Sequence, residues 1–321
     1  MVRRILSLVV LGALIAAGCS DGGDDAASNA WLDIAEVTPI GPEPTLTILD
    51  FGRLLELHEV SVEDYQADPI EVVITLLSDL REDGSRVGRS TQLGPDLFAG
   101  FGGPADGLSP GVIDVLATIP EGYVYRLFPE YADAGSVPPV QGRSRFGSVG
   151  DVLLQSPSAD LVDRTIAGEI PVLADDPSVR RILERLAGFG VHELHLQDRG
   201  LVPADGPTLP DGVEPQFRPF ETFDWVGTGI RWDGDAYVWV IVIDNPDDQT
   251  AARNADILRQ IIEEDGYANN PDLRWSDDYA IREIDTDGTL TIGQLEIVRG
   301  STVVAGTWWT FGELLYMEPA G

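Results

Sequence analysis

The alternation of apolar and polar residues predicts a mixed series of strands and helices. The clearest strand covers 236–243, where Tyr237, Trp239 and Ile241 alternate with apolar neighbours, so that both of its faces are apolar. A strand of this kind is covered on two sides. Shorter apolar runs predict strands over 45–49, 151–155, 279–284 and 289–297, and ordered segments over 112–119, 123–128, 301–309 and 314–317.

Helix starts are indicated by capping residues placed before apolar residues that recur at i, i+3, i+4 and i+7. Two starts share one device, an Asp at the N-cap followed by a Pro at the first helical position, at 68–69 and 176–177. The predicted helices begin after Asp50, Asp68, Ser158, Asp176 and one of Asp247 and Asp248. The second of them is expected to end at Gly84.

A β-hairpin is predicted near the C-terminus, because Asp287-Gly288 favours a tight turn between two strands. Leu290 and Ile292 have even numbers and Leu295 and Ile297 odd ones, so in a regular strand the two pairs would point to opposite faces. A bulge at Gly293 is expected to bring both pairs to the same face. The strand, helix, strand, strand order of this region resembles half of a ferredoxin-like unit. The segments 150–166 and 300–315 each have a short apolar strand before a polar break, which suggests a looser copy of this unit in the first half of the chain.

The fold class predicted is α+β, with two packed subdomains and a ferredoxin-like strand-helix-strand-strand arrangement in the second. Five segments are expected. They are a signal peptide over 1–18, a flexible acidic and Pro-containing tether over 19–44, an N-terminal subdomain over 45–200, a Pro-rich linker over 201–222 and a C-terminal subdomain over 223–321.

The N-terminus has the pattern of a secretory signal. Arg3 and Arg4 precede an apolar stretch, which is too short to span a membrane, and small residues follow up to Gly18. Cys19 comes next and is the single cysteine of the chain. Small residues before a cysteine resemble the lipobox of bacterial lipoproteins. That resemblance implies a diacylated Cys19, palmitate among its acyl chains, removal of 1–18, and anchoring in the cell membrane on its extracytoplasmic face.

The charge of the chain changes which partners are expected. The formal net charge is −33, and every basic residue is Arg apart from three His. So acidic a surface repels phosphate backbones, which disfavours nucleic acid. A protein partner or a small ligand in the cell envelope remains open, and so does weak calcium binding. No cofactor is expected, and Cys19 is the only residue assigned to a site.

The body of the chain is similar to a group of uncharacterised actinobacterial envelope lipoproteins. The similarity rests on 150–156, on 173–179 and on 232–266. These stretches are strands, caps and turns, so the resemblance implies a location and a fold and leaves the activity open.

The segment His192-Glu193-Leu194-His195 contains the residue types that bind zinc. Its spacing differs from the helical motif in which two His lie four residues apart. On a strand, His192 and His195 point to opposite faces, so a solvated or hydrogen-bonded pair is favoured over a metal site.

The segment 285–288 resembles the start of a calcium loop, with two Asp and a Gly at alternating positions. The twelfth position of such a loop then falls on Gln294, where a bidentate Glu is required. A hairpin turn is therefore favoured, and the acidic segment 244–248 is interpreted as a strand end that caps a helix.

The sequence lacks the motifs of nucleophilic catalysis. It has no Gly-x-Ser-x-Gly, and His58, His192 and His195 are its only imidazoles. Six tryptophans near the C-terminus form either core or a ligand or partner surface, and core is favoured for Trp239. They are Trp225, Trp232, Trp239, Trp275, Trp308 and Trp309.

We expect a lipid-anchored extracytoplasmic protein with a non-catalytic binding or envelope-structural role. The alternative is a cell-surface hydrolase of cell-wall or nutrient polymers that uses Asp or Glu. A transporter's substrate-binding protein is less favoured, because such proteins usually have two lobes of repeated βα units.

Overall fold

The computed structural model describes residues 22–42, 44–69, 71–72, 110–131, 140–141, 144–198, 220–234, 236–267 and 270–298. These residues form an α+β fold, as predicted. The helices are α1 (Gly22–Val37), α2 (Phe51–Leu57), α3 (Val62–Ala67), α4 (Ala159–Ile166), α5 (Pro177–Gly188), α6 (Asp248–Glu264) and α7 (Trp275–Asp278). The strands are β1 (Thr45–Asp50), β2 (Ile113–Ile119), β3 (Gly122–Leu127), β4 (Val140–Gln141), β5 (Ser144–Val149), β6 (Val152–Ser156), β7 (Glu193–Asp198), β8 (Trp225–Trp232), β9 (Tyr237–Asp244), β10 (Gly266–Tyr267), β11 (Asn270–Arg274), β12 (Tyr279–Asp287) and β13 (Leu290–Ile297).

One antiparallel sheet runs through the whole body. Its strand order is β12-β13-β9-β8-β7-β1-β2-β3-β6-β5-β4, and β10 and β11 form a separate pair. The two predicted subdomains therefore share a single sheet of 11 strands. The boundary expected near residue 200 falls beside β7, which pairs with β1 on one side and β8 on the other.

The sheet has the same strand order when read outward from its centre in either direction. From β1 it runs β1-β2-β3-β6-β5, and from β7 it runs β7-β8-β9-β13-β12. Because β1 and β7 are antiparallel neighbours, an approximate twofold axis passes between them, near the paired residues Thr47 and His195. The chain thus contains two copies of one five-stranded unit.

The two copies agree in detail. Gly150 and Gly288 occupy equivalent hairpin turns, between β5 and β6 and between β12 and β13, and their φ angles are 60° and 57°. Positive φ costs little only for Gly, so both turns use the residue that their geometry requires. The repeat register therefore pairs Gly150 with Gly288, which corrects the suggested pairing of 150–166 with 300–315.

One face of the sheet carries a core that extends across both copies. Helices α1 and α5 pack against each other over this face, with α1 on β3 and β6 and α5 on β8 and β9. Trp31 and Ile34 of α1, and Ile182 and Leu186 of α5, are fully buried in this core. The helix α4 covers β5 and β6 on the same face.

The opposite face carries two separate cores, one in each copy. In the first copy, Phe51, Leu54 and Tyr65 of α2 and α3 cover Leu116 and Tyr125 of the sheet. In the second copy, α6 packs on β12 and β13, with Leu258 and Ile262 in the core. Strand β9 lies between layers on both faces, and all its residues are buried, as predicted.

Helix caps follow the predicted residues. Asp50 accepts the Arg53 amide, Ser158 the Leu161 amide and Asp176 the Ser178 amide. Asp247, rather than Asp248, caps α6 by accepting the Thr250 amide. The Asp68 carboxylate accepts the Glu71 amide, while 73–84 lie outside the described residues.

The expected flexible tether over 19–44 is wrong from residue 22 onward. Residues 22–37 form α1, and Ala30, Ile34 and Val37 are buried. The buried positions recur at helical spacing, so burial of one apolar stripe stabilises the helix despite its acidic composition. The end of the expected linker over 201–222 is also part of the body, because Phe220 is buried against the core beneath α6.

The bulge expected at Gly293 is wrong as well. Gly293 is regularly paired with Ile284 and with Ile241, and the register shift lies between Ile281 and Glu283 on the partner strand. No reset of the face is needed, because both faces of β13 are covered. A Cβ at Gly293 would lie 2.6 Å from Leu258 Cδ2, so this Gly allows α6 to approach closely.

Candidate functional site

The residue expected to carry lipid, Cys19, lies outside the described residues, as does the predicted signal peptide over 1–18. Helix α1 begins at Gly22, three positions after Cys19. From Ala30 onward its side chains enter the core. The second half of α1, from Ala30 onward, is therefore packed against the body.

A group of polar side chains lies at the centre of the sheet, where the two copies meet; we call Thr47, His195, Gln197 and Thr228 the axial cluster. His195 Nδ1 lies 2.9 Å from Thr47 Oγ1, and His195 Nε2 lies 3.3 Å from Gln197 Oε1. With the amide oxygen as acceptor, the neutral ring donates from Nε2 and accepts the Thr47 hydroxyl proton at Nδ1. Beside them, Thr228 donates to the Val240 carbonyl at 3.0 Å.

Burial controls the ionisation of this region. It lowers the pKa of His195 to about 4, against the opposing effect of its hydrogen bond with Gln197. It also lowers the pKa of His192 to about 4, with further contributions from the positive charges of His58 and Arg53. Burial raises the pKa of Glu193 to about 8. At neutral pH both imidazoles and this carboxyl group are therefore uncharged.

A second polar group lies at the end of the first copy; we call Asp33, Asp114, Arg126 and Asp151 the N-terminal ion cluster. Arg126 Nη1 lies 3.3 Å from an Asp114 oxygen, and Arg126 Nε lies 3.3 Å from Asp151 and 3.9 Å from Asp33. These residues come from four elements, since Asp33 is on α1, Asp114 on β2, Arg126 on β3 and Asp151 in the turn before β6. One guanidinium thus joins α1 to the sheet.

Asp50 borders this cluster and is 4% exposed. Its Oδ2 accepts Trp31 Nε1 of α1 at 3.2 Å, and its Oδ1 accepts the Arg53 amide at 2.9 Å. Burial is the largest cause, and the negative charge of Asp50 adds to it, so that the pKa of Asp114 is raised to about 7 against the opposing charge of Arg126. Burial likewise raises the pKa of Asp50.

The second copy has an equivalent group with the charges exchanged; we call Arg181, Asp244 and Thr289 the C-terminal ion cluster. Asp244 stands where Arg126 stands in the first copy, and it accepts Arg181 Nη2 at 2.8 Å and Thr289 Oγ1 at 3.1 Å. Arg181 on α5 occupies the place of Asp33 on α1. The helix is joined to the sheet at the same point in both copies, but by ion pairs of opposite polarity.

The residues considered for metals have other roles. His192 and His195 are both buried, and His192 precedes β7 rather than lying within it. The hairpin turn between β12 and β13 is formed by Gly288 and Thr289, one position later than predicted, because Asp287 is the last residue of β12 and pairs with Leu290. Among the described residues, no group of three or more His, Cys, Asp or Glu is arranged to hold a metal ion.

Most of the tryptophans that are described contribute to the cores. Trp239 and Trp275 are fully buried and Trp225 is 4% exposed. Trp232 is only partly buried and lies 4.6 Å from Tyr237 between ring centroids. Trp308 and Trp309 lie outside the described residues.

Sequence reasoning missed both ion clusters. Their members are far apart in sequence and lie together only because the strands pair, so no local spacing marks them. One signal was available for α1: Trp31, Ile34, Ala35 and Thr38 recur at i, i+3, i+4 and i+7. The equivalent hairpin glycines, Gly150 and Gly288, would have given the repeat its register.

Comparison with protein-family models, with curated proteins and with solved structures finds no match. Within the described part of the chain, none of the helices has the length and apolar character needed to cross a membrane.

Proposed function

We propose that the chain is a lipid-anchored extracytoplasmic protein that has a non-catalytic binding or envelope-structural role. The observation that carries the anchoring is the small-residue run before Cys19, the single cysteine, behind a basic and apolar leader. Palmitate and a second acyl chain on Cys19 would hold the protein stably, because two chains anchor more firmly than one.

The non-catalytic role is supported by the state of the buried polar groups. His195 is hydrogen-bonded within the axial cluster, and the oxygens of Asp50 accept Trp31 and Arg53. A general acid or base must reach the proton that it transfers. Groups that are buried and already paired within the fold suit structural work better than proton transfer to a substrate.

The second copy supports a finer proposal about the fold. Strand β9 is followed by α6 and then by β12 and β13, and β13 lies between β9 and β12 in the sheet. We propose that this is the ferredoxin-like strand-helix-strand-strand arrangement, inserted in a larger duplicated sheet.

Anchoring is tested by comparing the full chain with its Cys19→Ser variant in bacterial cells supplied with labelled palmitate. The wild-type chain is expected to take up label and to sediment with membranes. The variant is expected to lose the label and to leave the membrane fraction. Membrane retention of the variant at the wild-type level would contradict the proposal, as would a wild-type chain without label.

The role is tested by a thermal-shift screen of the chain from residue 22 onward, with calcium, EDTA, metabolites, oligosaccharides and cell-wall fragments. A ligand at 100 times its dissociation constant adds about 2.7 kcal/mol of stability. A raised midpoint without turnover of the compound would support binding. Turnover of an oligosaccharide or a cell-wall fragment would instead support the alternative, a hydrolase that uses Asp or Glu.

A further inference from the structure

Helix α1 is held to the end of the first copy through charged and polar contacts as well as by its apolar stripe. Asp33 on α1 lies 3.9 Å from Arg126 on β3. Trp31 on α1 donates its ring N–H to Asp50 at 3.2 Å. Both contacts reach the sheet at one place, beside Asp114.

This place has more negative than positive charge. Four carboxyl groups, those of Asp33, Asp50, Asp114 and Asp151, surround the guanidinium groups of Arg53 and Arg126. Asp33 must share Arg126 with two carboxylates that lie closer to it, at 3.3 Å each. The hold of Arg126 on α1 therefore depends on how much charge the other two carboxylates carry.

Asp50 and Asp114 also lie near each other. A Cβ on Gly52 would be 2.5 Å from Asp114 Oδ1 and 3.5 Å from Asp50 Oδ1, so both oxygens surround the same small space. Two negative charges that line the same small space in a buried site repel each other, which disfavours ionisation of both carboxyl groups. Protonation of Asp114 relieves the repulsion, and Asp50 then stays ionised and accepts the ring N–H of Trp31.

We propose that the docking of α1 is proton-sensitive, so that uptake of one proton by the N-terminal ion cluster tightens α1 against the sheet. The groups that face Asp114 come from every element packed around it. They are Asp50 and Glu56 from β1 and α2, Tyr65 from α3, Arg126 from β3 and Asp151 from the turn before β6. Arg53 of α2 pairs with Asp50, and Asp33 of α1 lies on the other side of Arg126.

The sign follows from the direction of the pKa shift. The folded-state pKa of Asp114 is raised to about 7, so the folded protein favours the protonated form of this carboxyl group below that pH. Its contribution to stability is complete below the ordinary Asp range and is lost as the pH rises through about 7. Protonated Asp114 competes less with Asp33 for Arg126, so tight docking is expected near pH 6 and looser docking near pH 8.

The second copy provides a reference within the same molecule. There, α5 is joined to the sheet by one Arg181–Asp244 pair at 2.8 Å, with Thr289 in place of Asp151. Within the described part of the chain, Asp244 is the carboxylate that pairs with Arg181, and no second one competes for it. Docking of α5 is expected to be insensitive over the same pH range.

The test is amide hydrogen exchange of the mature chain at pH 6 and pH 8, expressed as protection relative to the unfolded peptide at each pH. Protection over 30–37 of α1 is expected to fall about threefold to tenfold from pH 6 to pH 8, while that over 177–188 of α5 stays constant. Equal protection of α1 at both pH values would overturn the proposal.

Asp114→Asn mimics the protonated carboxyl group and should give high protection of α1 at both pH values. Asp224→Asn changes the exposed residue at the equivalent position of the second copy, and should keep the wild-type dependence. If Asp114→Asn does not fold, Asp33→Asn replaces it and should lose most of the pH dependence of α1. A dependence of wild-type size in Asp114→Asn, or in Asp33→Asn where that variant replaces it, would overturn the proposal.

Discussion

At the scale of single residues, the ionisable groups of the sheet centre, two buried imidazoles and one half-buried carboxyl group, are held in their uncharged forms. His192, Glu193 and His195 lie at or beside the start of β7, and desolvation is the main cause of each pKa shift. The axial cluster at the twofold axis thus contributes hydrogen bonds rather than charge. Because these groups are uncharged in the folded state, Glu193 lowers the stability as the pH rises, and the two imidazoles lower it as the pH falls.

Glu193→Gln tests this state directly. The folded-state pKa of Glu193 is about 8, so its stabilising contribution is present below the ordinary Glu range and is lost as the pH rises through 8. The variant should be more stable than wild type at pH 9 by roughly 1 to 2 kcal/mol and similar to it at pH 5. Urea unfolding at both pH values measures the difference. The exposed Glu184→Gln is the control, and an equal effect in both variants would contradict the expectation.

The acid side is governed by the imidazoles. Because burial lowers the pKa of His192 and His195 to about 4, their contribution to stability is lost as the pH falls from their ordinary value towards 4. His195→Gln should therefore lose less stability than wild type between pH 6.5 and pH 4.5, by about 1 kcal/mol, when both are unfolded in urea. A variant that follows the wild-type curve would show that His195 is charged in the folded state.

At the scale of elements, close approach between helix and sheet determines which residues are tolerated. A Cβ on Gly227 of β8 would lie 2.4 Å from Ile182 Cγ2 and 2.9 Å from Leu186 Cδ1, both on α5. The same position in the first copy holds Ala117, under which the sheet has room for a methyl group. A Cβ is therefore accommodated at this position in the first copy and is crowded by α5 in the second.

Gly227→Ala should move α5 outward and cost about 1 to 3 kcal/mol. Gly188→Ala, at the end of α5, meets no atom within 4 Å and serves as the matched control, with little loss expected. Thermal unfolding monitored by circular dichroism compares the two. Equal midpoints would contradict the close packing of α5 on β8.

Local signals predicted many element starts and missed how the elements assemble. The caps at Asp50, Ser158 and Asp176 were readable because an N-cap is a local contact. The pairing of β1 with β7 was not, because Thr47 and His195 are far apart in sequence and neither strand carries a mark of its partner. Helix α1 is not predicted, because the Gly, Asp and Ser residues of 22–29 obscure the apolar stripe that follows.

The site residues show the same limit. Asp33, Asp114, Arg126 and Asp151 come from separate elements, so only the fold brings them together. The equivalent cluster in the second copy has Arg181 and Asp244, with the charges exchanged, so identity between the copies could not have revealed it. Conserved geometry with exchanged polarity is visible only after the strands are paired.

At the scale of the whole molecule, α1 belongs to the folded body. A chain that starts at residue 44 lacks 22–43 and exposes the surface that Trp31, Ile34 and Val37 cover. Its unfolding free energy should be lower by about 5 kcal/mol or more, which is enough to unfold a marginal domain. Removing only 1–21 should leave the unfolding free energy unchanged. Urea unfolding of the two truncated chains makes the comparison. A chain lacking 22–43 that unfolds at the wild-type midpoint would contradict the packing of α1.

This packing has a consequence for anchoring. If lipid is attached at Cys19, only two residues separate it from the first residue of α1, Gly22. The connection between lipid and body would then include α1, whose residues from Ala30 onward are part of the core. The proton-sensitive contacts of α1 would lie directly in that connection.

The central claim is most directly tested by mass spectrometry of the N-terminal peptide of the chain purified from the membranes of producing cells. The account predicts a peptide that begins at Cys19, lacks 1–18 and carries the added mass of acyl chains. An unmodified Cys19, or an N-terminus at any other residue, would contradict it.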